Sequence, residues 1–171
     1  MAADINEIRK AMRAAQVTGS GDYITSGTHL LELTRAKFNR TMIQAKAKES
    51  MIFEFKVHSS SHPDKMPVGE TRSYVDNPDN TGYLGRVKGC ILALMGVDPN
   101  GKVSPNDDEA ATELYCALLD DSIRVSHQWP ENFLAGNFVI CEGFDGVSQT
   151  NHKPIVKKNW KPSPKPAPAS A

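Results

Sequence analysis

The hydrophobic period changes twice along this chain, and that change most restricts what it can fold into. In MIFEFKVH, Met51, Phe53, Phe55 and Val57 alternate with Glu54, Lys56 and His58. Only an extended strand turns a spacing of two into one apolar face. Leu31 and Leu33 alternate with polar neighbours in GDYITSGTHLLELTRAKFNR, which reads as one long strand kinked at Gly27. NRTMIQAKAKES is a polar, basic connection, and ETRSYV a third strand with Arg72 and Tyr74 on the side opposite Val75. Between Asn80 and Val97 the apolar residues Leu84, Val87, Ile91, Leu94 and Met95 adopt helical spacing, closed by Gly96. Ser104 and Pro105 then start a second helix, whose acidic first turn (Asp107, Asp108, Glu109) suits the positive end of the helix dipole. The spacing of two returns in GNFVICEGF and KPIVKKNW, joined by DGVSQTNH.

Three strands, a helical insertion and two more strands make a mainly β fold. That is the layout of an OB-fold, a five-stranded Greek-key barrel with its helices between strands 3 and 4. An SH3-like barrel or a mixed α+β sandwich fits the same periodicities. Residues 21–160 form this domain. Residues 1–20 are an N-terminal helical appendage and linker, with Ile5, Ile8, Met12 and Ala15 on one side of a helix over 3–16 that ends at QVTGSG. Residues 161–171, rich in Pro, Ala and Lys, hold nothing apolar enough to build a core and form a semi-extended tail.

Twenty Lys+Arg balance twenty Asp+Glu, but the charges are segregated. Ser104 to Asp121 holds six acids and no base, whereas Leu33 to Lys48 and His152 to Ala171 each hold five cations and no acid. Such a polarised field can steer a polyanion. Cys90, Cys116 and Cys141 are odd in number and set in apolar surroundings, as core residues of a reducing compartment are. The start of the chain has no apolar signal-peptide segment, so a cytoplasmic protein is expected.

With the segments placed, the chain resembles the OB-fold single-stranded-DNA-binding proteins of tailed bacteriophages. The residues that carry the resemblance are GDYITSGTHLLELTRAKF, IFEFKV, PVGETRSY, YLGRVKGCILALMG, LAGNFVICEGF and KPIVKKNW, which span residues 21–160. The tail departs from the pattern: many bacterial-type relatives end in an acidic tail, whereas this one is basic. The resemblance implies a protein that coats single-stranded DNA without sequence preference, in support of phage DNA replication, recombination or repair. Its implied partners are the strand, other replication or recombination proteins and further copies in a cooperative filament on DNA.

A single-strand binder needs cations along the phosphates and flat side chains under the bases. In an OB barrel the groove lies on strands 2 and 3, rimmed by the loops between strands 1 and 2 and between strands 4 and 5. Lys37, Phe38, Arg40, Lys46 and Lys48 fall at the first rim, and Arg72 and Tyr74 on strand 3. Phe144, His152, Lys153, Lys157, Lys158 and Trp160 fall at the second rim and the strand that follows it. Trp160 shares parity with Val156 and with Lys158; capping the apolar interior is favoured over stacking on a base. Phe53 and Phe55 are core.

Other motifs carry less. His58 and His62 in HSSSH have no third ligand nearby, and DPNGKVSPNDDE places Lys102 and Val103 where a calcium loop needs an oxygen ligand and a glycine. No nucleophile, base and acid group together, so no enzyme and no cofactor are expected. The rival from another class is an OB-like protein-interaction module, a virion component or an inhibitor of a host enzyme.

Overall fold

The computed structural model describes residues 4–6, 8, 23–43, 46–148 and 152–163. The helix expected over 3–16 lies mostly outside them, as does the tail beyond Ser163.

Five antiparallel strands form one sheet in the order β3-β2-β1-β4-β5. They are β1 (Gly27–Ile43), β2 (Lys46–Ser60), β3 (Thr71–Asp76), β4 (Phe138–Val147) and β5 (Pro154–Pro162). Between β3 and β4 come α1 (Tyr83–Leu94), α2 (Pro105–Leu119) and a short α3 (Asp121–Ser126) that the sequence pattern did not reveal. The alternating positions do what their spacing predicts: Leu31, Leu33, Met51, Phe53, Phe55 and Val57 are all fully buried. α1 adds Val87, Cys90, Ile91 and Leu94 to the same core. Ser104 caps α2, its side-chain oxygen accepting from the Asp107 amide at 3.1 Å.

Two expectations about β1 are corrected. The strand begins at Gly27 (φ 119°) instead of running through it. The segment expected as a polar loop is strand on both sides of its turn, because β1 and β2 pair as far as Ile43 and Lys46. Alternation continues through Ala36 and Phe38, which pair with Phe53 and Met51 and give the arm an apolar side to bury.

The parity of β1 is reset inside that arm. Leu33 faces Phe55 and Arg35 faces Glu54, so Thr34 is an unpaired bulge residue, its hydroxyl donating to the Glu54 carbonyl at 3.0 Å. Were Thr34 paired in regular alternation instead of bulged, Arg35 and Lys37 would follow Leu31 and Leu33 into the core. With the bulge, Ala36 and Phe38 turn inward and the cations turn out.

β3 and β5 are the two free edges of the sheet, and side chains bridge the seam between them. Trp160 lies 5.3 Å from Tyr74 and 5.6 Å from Phe55, centroid to centroid. Elsewhere along the seam, residues 23–26 fill the gap: Tyr23 bridges Ser73 in parallel and Ile24 is buried. The Thr25 carbonyl accepts from the buried ring of His29 (2.9 Å), whose other nitrogen meets the Ser60 hydroxyl at 2.8 Å. Burial holds His29 below the usual imidazole range, so it is neutral at pH 7.

Gly143 permits this closure. A Cβ there would stand 2.5 Å from the Thr25 carbonyl oxygen, a backbone atom that cannot swing away. Gly143→Ala is expected to lower stability by about 1–3 kcal/mol in urea denaturation. Gly85 is the opposite case, a helical glycine with open space around its missing Cβ. Gly85→Ala is expected to raise stability by about 0.5–1 kcal/mol.

Candidate functional site

The helices pack on the inner side of the sheet: α1 against β5 and β4, and α2 against β1. The outer side of β3-β2-β1 follows from register. Opposite the core residues of β2 stand Lys48, Ile52, Glu54 and Lys56; on β1 the bulge places Arg35 and Lys37 there, and on β3 Val75. Lys37 lies beside Ile52, which in turn pairs with Val75, so cations border an apolar strip. Arg35, Lys48, Lys56 and Val75 are exposed, and Lys37 and Ile52 half-buried. Tyr23, 38% exposed, joins this face because a bridge partner points to the same side as Ser73.

Of the residues expected at the first rim, Lys37 and Lys48 are on this face. Arg40 is exposed on the opposite side of the arm, paired with Glu49 at 3.1 Å. Phe38 packs against the core beside the helices, so it is no stacking platform. The Lys46 side chain lies outside the described residues. Arg35, Lys56, Ile52, Val75 and Tyr23 were missed. The parity of MIFEFKVH already set Ile52 and Lys56 outward; the other three depended on the bulge or on the pairing of β3 with its neighbours.

The strand 3 residues need correction. Arg72 and Tyr74 do lie opposite Val75, but that side is the interior. Arg72 is 7% exposed and donates to the carbonyls of Thr71 (3.1 Å) and Lys65 (3.3 Å) and to Glu70 (3.1 Å). A guanidinium so engaged staples the β2–β3 connection and is withdrawn from any phosphate. Tyr74 and Trp160 are each 4% exposed; the tryptophan caps the core, as favoured.

The second rim keeps its exposed character. Phe144 is 53% exposed and pairs across strands with Lys157, while Val147 and Ile155 are exposed near the turn. His152 is exposed with φ 57°, its amide donating to the Ser148 carbonyl. Lys153 and Lys157 are exposed at the mouth of a half-open cleft of about 700 Å3 along the β3–β5 seam.

Tyr74 and Trp160 floor that cleft, and a hydrogen-bonded group lines its β3 wall. The Asp76 carboxylate, 4% exposed, accepts from Arg86 Nε (2.7 Å) and Nη2 (2.9 Å) and from the Tyr74 hydroxyl (2.6 Å). The Asn80 amide (3.3 Å) and the Asn77 backbone N–H (2.9 Å) complete its shell. Burial alone would raise its pKa, but the hydrogen bonds from Arg86 and Tyr74 outweigh burial and hold it below the usual carboxylate range. Burial pushes the Tyr74 hydroxyl well up, so it stays a donor. Opposite, the Lys158 ammonium sits 5.2 Å over the Tyr74 ring and donates to the Val156 carbonyl at 3.1 Å. Burial lowers its pKa.

Asp76 makes a pH prediction. Its folded pKa lies below its unfolded one, so its stabilisation is complete above the ordinary carboxylate pKa and is lost as pH falls through the folded value. Wild-type stability should therefore drop below about pH 4, while Asp76→Asn lacks that contribution and shows a flatter acid limb. At pH 7 the variant should be less stable by about 2 kcal/mol, under the 3–5 of a fully buried pair because Arg86 keeps contact with water. Urea melts between pH 3 and pH 7 measure both.

Among the described residues no helix is long and apolar enough to cross a membrane. No protein-family model matches the sequence, and no curated protein is significantly similar to it.

Proposed function

We propose that this protein binds single-stranded DNA without sequence preference, through the outer face of β3-β2-β1, and serves phage DNA replication, recombination or repair. One observation carries the proposal. The side of these strands that α1, α2 and α3 leave uncovered bears Arg35, Lys37, Lys48 and Lys56 around Ile52 and Val75, with Tyr23 at its margin. Cations track phosphates there while apolar and flat side chains meet bases, and single-strand coating demands no more chemistry than that. Glu54 and the His58–Glu32 pair, 2.7 Å apart, temper the positive charge. The strand order, with helices between the third and fourth strands, supports an OB-type barrel opened between β3 and β5.

Binding of a dT oligomer at several salt concentrations tests this. Four phosphates neutralised on a single strand give a log–log slope near −3. Duplex of equal length should bind more weakly. A salt-independent affinity, or equal binding of both forms, would overturn the proposal.

A protein-docking role has its own support in the exposed Phe144, Val147 and Ile155 of the β4–β5 hairpin, apolar surface of the kind partners cover. Absence of binding to either nucleic acid at low salt would favour it.

A further inference from the structure

We propose that the β3–β5 seam cleft is a second nucleic-acid site, one that receives the phosphorylated terminal nucleotide of a strand. The inference builds on the single-strand role assigned to the outer face, but it rests on different residues.

The cleft has an unusual balance of charge. Asp76 is the one carboxylate among the described residues of its lining, and Arg86, Tyr74, Asn80 and Asn77 already satisfy it. Arg86 and Asp76 cancel, and Lys157 and Lys158 add positive charge to the lining. Lys158 is the informative member. It is half-buried, its ammonium held between the Tyr74 ring and the Val156 carbonyl, and among the described residues it forms no salt bridge. An ammonium offers three donors, and Val156 accepts one. An anion entering the cleft would meet the remaining donors in a setting of low dielectric, where a charge-assisted hydrogen bond is strongest.

Shape and wall chemistry narrow the anion. A volume of about 700 Å3 is far more than a bare phosphate fills and lies in the usual range for small-molecule sites. Val156, Ile155 and the edge of Trp160 give the β5 side an apolar surface for a sugar and base. Tyr74 and Trp160, each 4% exposed, close the cleft toward the core, so a strand end pointed into it from outside stops there. A terminal phosphate carries about −1.5 to −2 at pH 7, against −1 for an internal diester, and so gains more from this cluster.

The test compares dT oligomers ending in a hydroxyl, a 5′-phosphate or a 3′-phosphate, with thymidine monophosphate as the minimal ligand, on the full chain. One of the phosphorylated oligomers should bind about tenfold tighter than the hydroxyl form, the effect of one charge-assisted contact. Thymidine monophosphate should compete away that increment alone. Lys158→Met, an apolar replacement of similar length, should erase the increment and leave hydroxyl-oligomer affinity and its salt slope unchanged. Lys157→Gln, at an exposed position that does not endanger folding, should reduce the increment. Equal affinity for all three oligomers with no binding of thymidine monophosphate would overturn the inference and leave the outer face unaffected. Mononucleotide binding without an end effect would overturn the strand-end assignment in favour of a free nucleotide. If no oligomer binds at all, the outer-face role falls, and loss of mononucleotide binding in Lys158→Met would still support the cleft.

Discussion

Trp160→Ala is expected to lower folding stability by about 3–5 kcal/mol, as large-to-small changes of buried aromatic residues do. The ring is 4% exposed and lies against Phe55 and Tyr74. Its position adds to the cost of the lost area. β3 and β5 are not hydrogen-bonded neighbours, so this ring is part of what holds the two sheet edges together. Urea denaturation measures the effect; a loss below about 1 kcal/mol would show that the seam is closed by other means. In a Trp129→Phe background the remaining tryptophan should emit to the blue, resist iodide quenching and respond little to added oligonucleotide. Strong quenching by DNA in that background would place Trp160 in the base path after all.

The second large effect concerns binding. Replacing Lys37, Lys48 and Lys56 together by glutamine should weaken dT binding at least about a hundredfold at low salt and flatten the log–log slope from about −3 to about −1, since Arg35 alone remains of the outer four. Arg40→Gln is the internal control. That side chain lies on the other side of the arm, held by Glu49, and its loss should leave the slope unchanged. Equal effects of the triple and the control would mean that charge anywhere on the arm suffices. No effect of either would remove the outer face from consideration.

Much of this architecture was legible in the sequence, because burial enforces periodicity. The core side of β2, the closing glycine of α1, the cap of α2 and the two late strands all follow from spacing and terminator residues, whereas α1 starts at Tyr83, three residues later than its apolar run suggested. The interface was less legible. Arg72 and Tyr74 were correctly set opposite Val75, but parity says only which residues share a side and not which side is wet. Arg72 defeats the usual guess because a guanidinium can be buried once backbone carbonyls accept from it. Phe38 and Arg40 were misplaced because a basic stretch was taken for a loop. The hairpin continues through it, since Ala36 and Phe38 have helices to cover them. Lys158 was legible in part: it shares parity with Trp160, which caps the core, but its seat over the Tyr74 ring needed the fold.

Thr34 has a consequence for how this chain can change. Thr34 and Arg35 both stand on the outer side opposite Glu54, so the rest of the arm alternates regularly with Leu33 once Thr34 is set aside. Deleting Thr34 would therefore remove the bulge and its local twist yet keep Arg35 and Lys37 outward and Ala36 and Phe38 inward. The arm can thus lose this one residue and keep its electrical character, whereas a residue lost or gained beyond Ala36 would need a compensating bulge.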